Sequence, residues 1–229
     1  MLEARNNAQH VYDALTSAIV EQALAPETKL PEELICKQFG VSRHIVRSAF
    51  QMLAADGLVD IRQNRGATVA KPSFEHGMDV LRIRMELEDV VVRYLAGNLN
   101  KAQAAQLRES INKEHEYIHI DHALYMRHAY GFHRSLARMT ESKILIRYLD
   151  PLLSQSSLVL YLYGRPRWTK CNADEHLEIV SALEAGQEAK ACKLMRNHLE
   201  AMFQRAFSDT AKDETTSLID VLERYAKVS

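Results

Sequence analysis

The sequence predicts a mainly α-helical protein: an N-terminal winged helix-turn-helix domain followed by an antiparallel all-helical bundle. Residues 31–69 follow the pattern of helix, glycine turn, helix and then two short strands around a glycine. From residue 78 onward, apolar residues recur at helical spacing without strand-like alternation. Pro72 and Gly77 interrupt the pattern between the two parts. The predicted boundaries are 1–70 for the winged domain, 71–77 for a linker and 78–229 for the helical domain.

The first domain is predicted to contain three helices. An amphipathic helix covers Asn7–Leu24, and a second helix follows Pro31 and ends at the turn residue Gly40. The third helix begins at Ser42, whose hydroxyl we expect to accept a backbone N–H as an N-cap. Gly57 ends this helix as a left-handed residue.

The third helix has the features of a DNA-recognition helix. Arg43 and Arg47 lie one turn apart, with His44 beside them, opposite the apolar stripe. The first half of a recognition helix reaches base edges in the major groove, and an arginine fork fits guanine or phosphate. An ordinary solvated helix face is the alternative interpretation. The stripe is Val46, Phe50 and Leu53.

The residues after this helix predict a wing. Residues 58–61 and 67–70 have the composition of two short strands, and residues 62–66 that of the turn between them. Arg65 and Gly66 would stand near the tip, where an arginine can enter a minor groove or contact a phosphate. The wing therefore favours the DNA-binding interpretation.

Composition excludes several other classes. The chain has 29 basic and 30 acidic residues, so its total charge argues neither for nor against nucleic acid. Its cysteines are scattered without a CxxC pair, which argues against a zinc finger or a disulfide framework. The start lacks the apolar segment of a signal peptide, and no apolar run is long enough to span a bilayer. We expect a cytoplasmic protein with reduced thiols. The cysteines are Cys36, Cys171 and Cys192.

The run VSRHIVRSAFQMLAADGLV, followed by NRGATV, resembles the winged domain of the GntR family of bacterial transcription regulators. That family's usual run is close to VSRxxVRxALxxLxxxGLV, followed by a wing that ends in RGxxV. The resemblance implies that the recognition helix and the wing contact double-stranded operator DNA. The predicted DNA-binding residues are Arg43, His44, Arg47, Arg65 and Gly66.

The second part of the chain is predicted to be a bundle of antiparallel helices with a cavity between facing helices. The predicted helices are Met78–Asn98, Lys101–Ile118, His122–Met139, Ser142–Tyr163, Asn172–Ala185, Glu188–Phe207 and Thr216–Lys227.

Short motifs in these helices resemble the FCD domain, the effector module of the FadR-type branch of GntR regulators. Residues 84–88 resemble its RxxLE motif, and Phe132-His133 its FH pair. The run from Glu175-His176 resembles its EH motif, and residues 195–199 its MxxHL motif. The resemblance implies a homodimeric regulator, most often a repressor, that binds a palindromic operator and senses a small organic acid, usually a carboxylate.

The FCD metal site typically uses an Asp four residues before the first of three His. His133, His176 and His198 match the three His positions, but the Asp position holds Ala129. Two interpretations stay open. The three His hold a divalent ion (zinc, nickel or manganese) without the Asp, as three-His zinc sites do, or they line a metal-free polar pocket.

The resemblance also places Arg84 beside the pocket, where its fork would take an effector carboxylate. The alternative is an ordinary intrahelical pair with Glu88. Tyr130 is a further candidate. The predicted effector-binding residues are Arg84, Tyr130, His133, His176 and His198.

Rival interpretations concern other histidines and other functions. His115, His119 and His122 are spaced for one helix face. They lie among Glu114, Glu116 and Asp121, so we favour a solvated surface over a metal site. A metal-dependent hydrolase built on the three-His set is an alternative function, as is a regulator that senses acyl-CoA.

Overall fold

The structure is a computed structural model that describes residues 2–62, 66–163, 172–206 and 218–226. The N-terminal elements are α1 (Leu2–Val20), β1 (Lys29–Leu30), α2 (Glu32–Phe39), α3 (Arg43–Ala55), β2 (Val59–Arg62) and β3 (Gly66–Val69). In the described part of the chain, all later elements are helices: α4 (Phe74–Leu95), α5 (Lys101–Tyr117), α6 (His122–Met139), α7 (Lys143–Tyr163), α8 (Asn172–Glu184), α9 (Glu188–Ala206) and α10 (Leu218–Ala226). The predicted fold class is confirmed.

The helix-turn-helix is built as predicted, with one exception at its capping residue. Gly40 and Gly57 have φ of +65° and +69°, a conformation that glycine adopts without steric cost. Ser42 occupies the N-cap position of α3, and its backbone oxygen accepts the N–H groups of Ile45 and Val46. Its hydroxyl makes no cap hydrogen bond, so the expected side-chain cap is wrong.

The wing strands β2 and β3 are two of the three strands of an antiparallel sheet with the strand order β1-β3-β2. Val59 pairs with Val69 and Arg62 with Gly66 in the two wing strands. The strand β1 could not be predicted from the sequence, because two residues are too few to show an alternating pattern. The predicted tip residue Arg65 lies outside the described residues.

The predicted linker is shorter in the structure, because α4 already begins at Phe74. The Ser73 hydroxyl accepts the N–H of His76 at 3.2 Å and caps the helix. Gly77 therefore lies inside α4 and does not interrupt it. A Cβ on Gly77 would lie 3.0 Å from Cγ1 of Val159, so the missing side chain lets α4 approach α7 closely.

Two apolar cores organise the chain, and α10 packs into the second of them. One core lies among α4–α9, and the other lies among α1, α2, α3 and the sheet. The second core is called the winged core. The helix α10 lies in the range 78–229 predicted for the helical domain, and its buried residues pack in the winged core. The side chain of α7 that also joins this core is Leu158. The apolar stripe of α10 is Val221, Leu222 and Tyr225.

Within the described residues, no helix combines the length and apolar character needed to cross a membrane. Cys36 and Cys192 are free thiols, and Cys171 lies outside the described residues.

Candidate metal centre and DNA-binding face

Three helices of the bundle bring three buried histidines to one point. His133 lies on α6, His176 on α8 and His198 on α9. Nε2 of His198 is 3.3 Å from Nε2 of His176 and 3.3 Å from Nε2 of His133. Facing nitrogens at this separation make a convergent set of ligand atoms, as the family resemblance predicted.

A carboxylate lies behind each of the three rings. Nδ1 of His133 is 2.5 Å from Glu88, Nδ1 of His176 is 2.9 Å from Glu114, and Nδ1 of His198 is 2.7 Å from Glu175. An ionised carboxylate that accepts the Nδ1 hydrogen leaves the Nε2 lone pair directed at the common point. Metal-binding histidines are commonly oriented in this way.

Burial keeps the imidazoles of His133 and His176 neutral. It lowers the pKa of His133 to about 3, although Glu88 opposes this. Burial, together with the neighbouring His198, also lowers the pKa of His176 well below its usual value. Neutral imidazole is the form that binds a metal.

The carboxylates behind the rings differ in charge. Burial opposes ionisation of Glu88, but His133 and Arg84 outweigh it and lower the pKa of this carboxyl to about 2. At Glu114, burial outweighs the opposing effect of His198, His128 and His115 and raises the pKa of this carboxyl to about 8. Its Oε1 is buried without a hydrogen-bond partner in the described part of the chain.

These observations fit a divalent metal. The three Nε2 atoms present lone pairs to one point, and such a group needs a cation or a proton at its centre. The orphaned oxygen of Glu114 fits as well, because a nearby dication stabilises an ionised carboxylate. Three nitrogen donors without an oxygen suit zinc or nickel better than manganese. Ala129 lines the same cavity one turn before His133 and supplies no ligand.

The centre lies in the wall of a cavity of about 60 Å³, which all five predicted effector-binding residues line. Nε of Arg84 is 2.6 Å from Glu88, so Arg84 both forms the intrahelical pair and faces the cavity. The Tyr130 hydroxyl is 3.1 Å from that of Ser154. The other polar residues of the lining are Gln22, His122, Tyr125, Ser156 and Ser157.

The rival histidine set does not lie on one helix, because α5 ends at Tyr117 and α6 begins at His122. His115 and His119 are exposed, as a solvated surface requires. Glu114, predicted to belong to that surface, is fully buried. Its spacing from Leu107 and Ile111 continues the apolar stripe of α5, and this spacing was the missed signal.

The predicted DNA-binding residues of α3 share one exposed face. Arg43, His44 and Arg47 are all exposed, opposite the buried stripe of the helix. Gly66 begins β3 with φ of +78° and has open space around it. The geometry brings these residues to the outer surface of the winged domain.

The fold, a winged helix-turn-helix domain followed by a helical bundle, is that of a DNA-binding transcription regulator. Residues 79–201, more than half of the chain, match the FCD domain, and residues 7–69 match the bacterial regulatory proteins of the gntR family. The chain belongs to the gntR family and carries an FCD domain.

Relatives named as transcription regulators support this class. The HTH-type transcriptional repressor RspR of Escherichia coli K12 is 28% identical over 196 residues, which cover 84% of this chain and 85% of that protein. A probable D-xylose utilization operon transcriptional repressor of Paenarthrobacter nicotinovorans is 29% identical over 195 residues, with coverages of 85% and 86%. These relatives are transcription regulators and not enzymes, so the hydrolase alternative is wrong.

Solved structures show the same fold. A putative transcriptional regulator GntR from Rhodococcus sp. RHA1 is 26% identical with a TM-score of 0.73, and the match covers 87% of this chain and 97% of that one. E. coli McbR/YncC, at 19% identity, has a TM-score of 0.74 over 86% of this chain and 97% of that one. The second likeness concerns the fold alone.

Proposed function

We propose that this regulator is a cytoplasmic repressor that binds a palindromic operator as a homodimer and senses a small organic acid in its helical domain. A divalent metal on His133, His176 and His198 would form part of the sensing site. The observation that carries the proposal is the convergence of three carboxylate-backed imidazoles in the wall of a cavity that Arg84 also lines.

The cavity chemistry supports a small carboxylate as the effector. A bound divalent ion would supply a Lewis-acidic centre for a carboxylate oxygen. Arg84 uses Nε for Glu88, which leaves its terminal nitrogens for the same ligand, and one of them lies 3.9 Å from the Met202 sulfur. The Tyr130 hydroxyl offers a further hydrogen bond. A cavity of about 60 Å³ favours a small acid over an acyl-CoA thioester.

An exposed apolar face supports the homodimer. Large apolar side chains on α4 and α7 are exposed at helical spacing, and a groove lined by Ile83, Leu87 and Tyr148 joins the two helices. Contiguous exposed apolar surface of this kind marks an interface. Two copies paired here would give the two-fold symmetry of a palindromic operator. The exposed residues of this face are Ile83, Val90, Tyr94, Ile144 and Tyr148.

The DNA and dimer parts are tested together. A duplex selected by the protein from a random pool should bind Arg47→Ala more weakly by about 1–3 kcal/mol if Arg47 contacts a base. Ile144→Asp should sediment as a monomer and bind this duplex weakly. Ile120→Asp is the control, because Ile120 is 77% exposed but lies between α5 and α6. Unchanged sedimentation of Ile144→Asp would exclude this face as the dimer interface.

The metal part is tested by titration of the chelator-treated protein with zinc and nickel. One ion should bind per chain, His176→Ala should lose it, and Ala129→Asp should bind it more tightly because it adds an anionic oxygen ligand. A wild-type protein that binds neither ion would overturn the metal centre and leave the DNA-binding assignment in place.

A further inference from the structure

Both arginines on the outer face of α3 are paired with carboxylates from α2. Nε of Arg47 donates to the two carboxylate oxygens of Glu32, at 2.9 and 3.1 Å. Arg43 instead donates from a terminal nitrogen, Nη2, to one carboxylate oxygen of Glu33. The two acidic residues differ in their surroundings, because the Glu32 side chain is 24% exposed and that of Glu33 is 82% exposed. Only the Glu32 pair is therefore partly sheltered from water.

The helix-turn-helix itself fixes the position of Glu32. It is the first residue of α2, where free backbone N–H groups and the helix dipole favour a carboxylate. The buried Ile35 anchors the same helix in the winged core, and the turn at Gly40 sets α2 against α3. Glu32 therefore meets Arg47 because of the packing of two helices.

The geometry of the pair leaves the two terminal nitrogens of Arg47 free to contact a base. A guanidinium has five N–H donors, and Glu32 uses only the one on Nε. Within the described residues, no hydrogen bond from the terminal nitrogens of Arg47 is present. Those two nitrogens form the edge that can contact O6 and N7 of a guanine together.

We propose that Glu32 is a specificity-determining residue that positions Arg47 for a base and weakens its attraction to phosphates. This inference rests on the proposed contact between Arg47 and DNA. Because the Arg47 guanidinium is already held in place, its side chain loses less conformational freedom when it contacts a guanine. A cation already paired with a carboxylate gains less from a phosphate, which is the main contact in random DNA. Both effects raise the ratio of operator affinity to random-duplex affinity.

The test compares two DNA probes by fluorescence anisotropy across a range of salt concentrations. One probe is the duplex selected from a random pool by the wild-type protein, and the other is a random duplex of the same length. Glu32→Gln should bind the random duplex more tightly and with a steeper salt dependence, and should bind the selected duplex more weakly. The ratio of the two affinities should fall by up to about fivefold, the limit for a pair of this exposure.

Two matched controls separate this effect from a simple change of charge. Glu33→Gln removes the same charge from the next residue and should shift both affinities alike, so that the ratio is kept. In an Arg47→Ala background, Glu32→Gln should no longer change the ratio. Thermal unfolding of each variant checks that the winged domain remains folded.

The outcomes distinguish the two proposals. An unchanged ratio in Glu32→Gln, or the same fall in ratio with and without Arg47, overturns the role of Glu32 and leaves DNA binding by α3 in place. Arg47→Ala with wild-type affinity for the selected duplex overturns both the contact and the role of Glu32.

Discussion

Replacing Glu114 by glutamine should stabilise the metal-free protein, although the change removes a partner of a metal-site histidine. The carboxyl is fully buried, with one oxygen 2.9 Å from Nδ1 of His176 and the other without a partner in the described part of the chain. Burial raises its pKa to about 8. Glutamine has nearly the same shape and carries no proton that must be taken up on folding.

The size of the effect follows from proton linkage. At pH 7 the unfolded chain has an ionised Glu114, with an ordinary pKa of 4.5, whereas the folded chain holds the proton. The folded protein therefore binds more protons, and this group destabilises it progressively as pH rises from 4.5 to 8. Each pH unit in that window corresponds to about 1.4 kcal/mol, which gives about 3 kcal/mol at pH 7.

Urea unfolding with a chelator present measures this prediction. Glu114→Gln should differ little from the wild type near pH 4.5 and should be more stable by up to about 3 kcal/mol at pH 7. Glu116→Gln, on the exposed side of the same helix, is the control. Glu114→Gln should also bind a divalent metal about 10–100-fold more weakly, because the carboxylate that orients the His176 ring is lost. If Glu114→Gln is less stable than the wild type at pH 7 and its stability has the same pH dependence, Glu114 does not hold an extra proton in the folded protein.

Two further substitutions test buried contacts by urea unfolding. Arg84→Met leaves the buried Glu88 without its cation and should cost about 3–5 kcal/mol at pH 7, whereas Arg82→Met on the exposed side of α4 should cost little. Leu222→Ala leaves a cavity at a fully buried position between α10 and the winged core. It should lower the free energy of unfolding by at least about 2 kcal/mol. If Leu222→Ala matches the wild type, α10 does not pack on the winged domain in solution.

Local patterns predicted the winged domain well because its signals lie close together in sequence. The φ angles of Gly40 and Gly57, the buried face of α3 and the two wing strands all follow from short-range spacing. The hydroxyl of Ser42 was mispredicted because residue type favours a cap without determining the rotamer.

Features that depend on distant packing could not be predicted in the same way. The family resemblance identified the three histidines, but the carboxylates behind them come from other helices, and Glu114 looked like part of a polar surface. The docking of α10 on α1 joins residues about 200 positions apart, as the contact between Tyr225 and Glu21 illustrates. Such contacts can be recognised only when the tertiary structure is known.

The sensing role of the three-His centre is tested most directly by binding of the selected duplex. Its affinity is measured for the zinc-loaded protein and for the chelator-treated protein. If the three-His centre controls the winged domain, the two affinities should differ by at least about fivefold, the lower end of typical coupling between sites. In His198→Ala they should be equal. Equal affinities in the wild type, with zinc bound at one ion per chain, would contradict a sensing role for the centre.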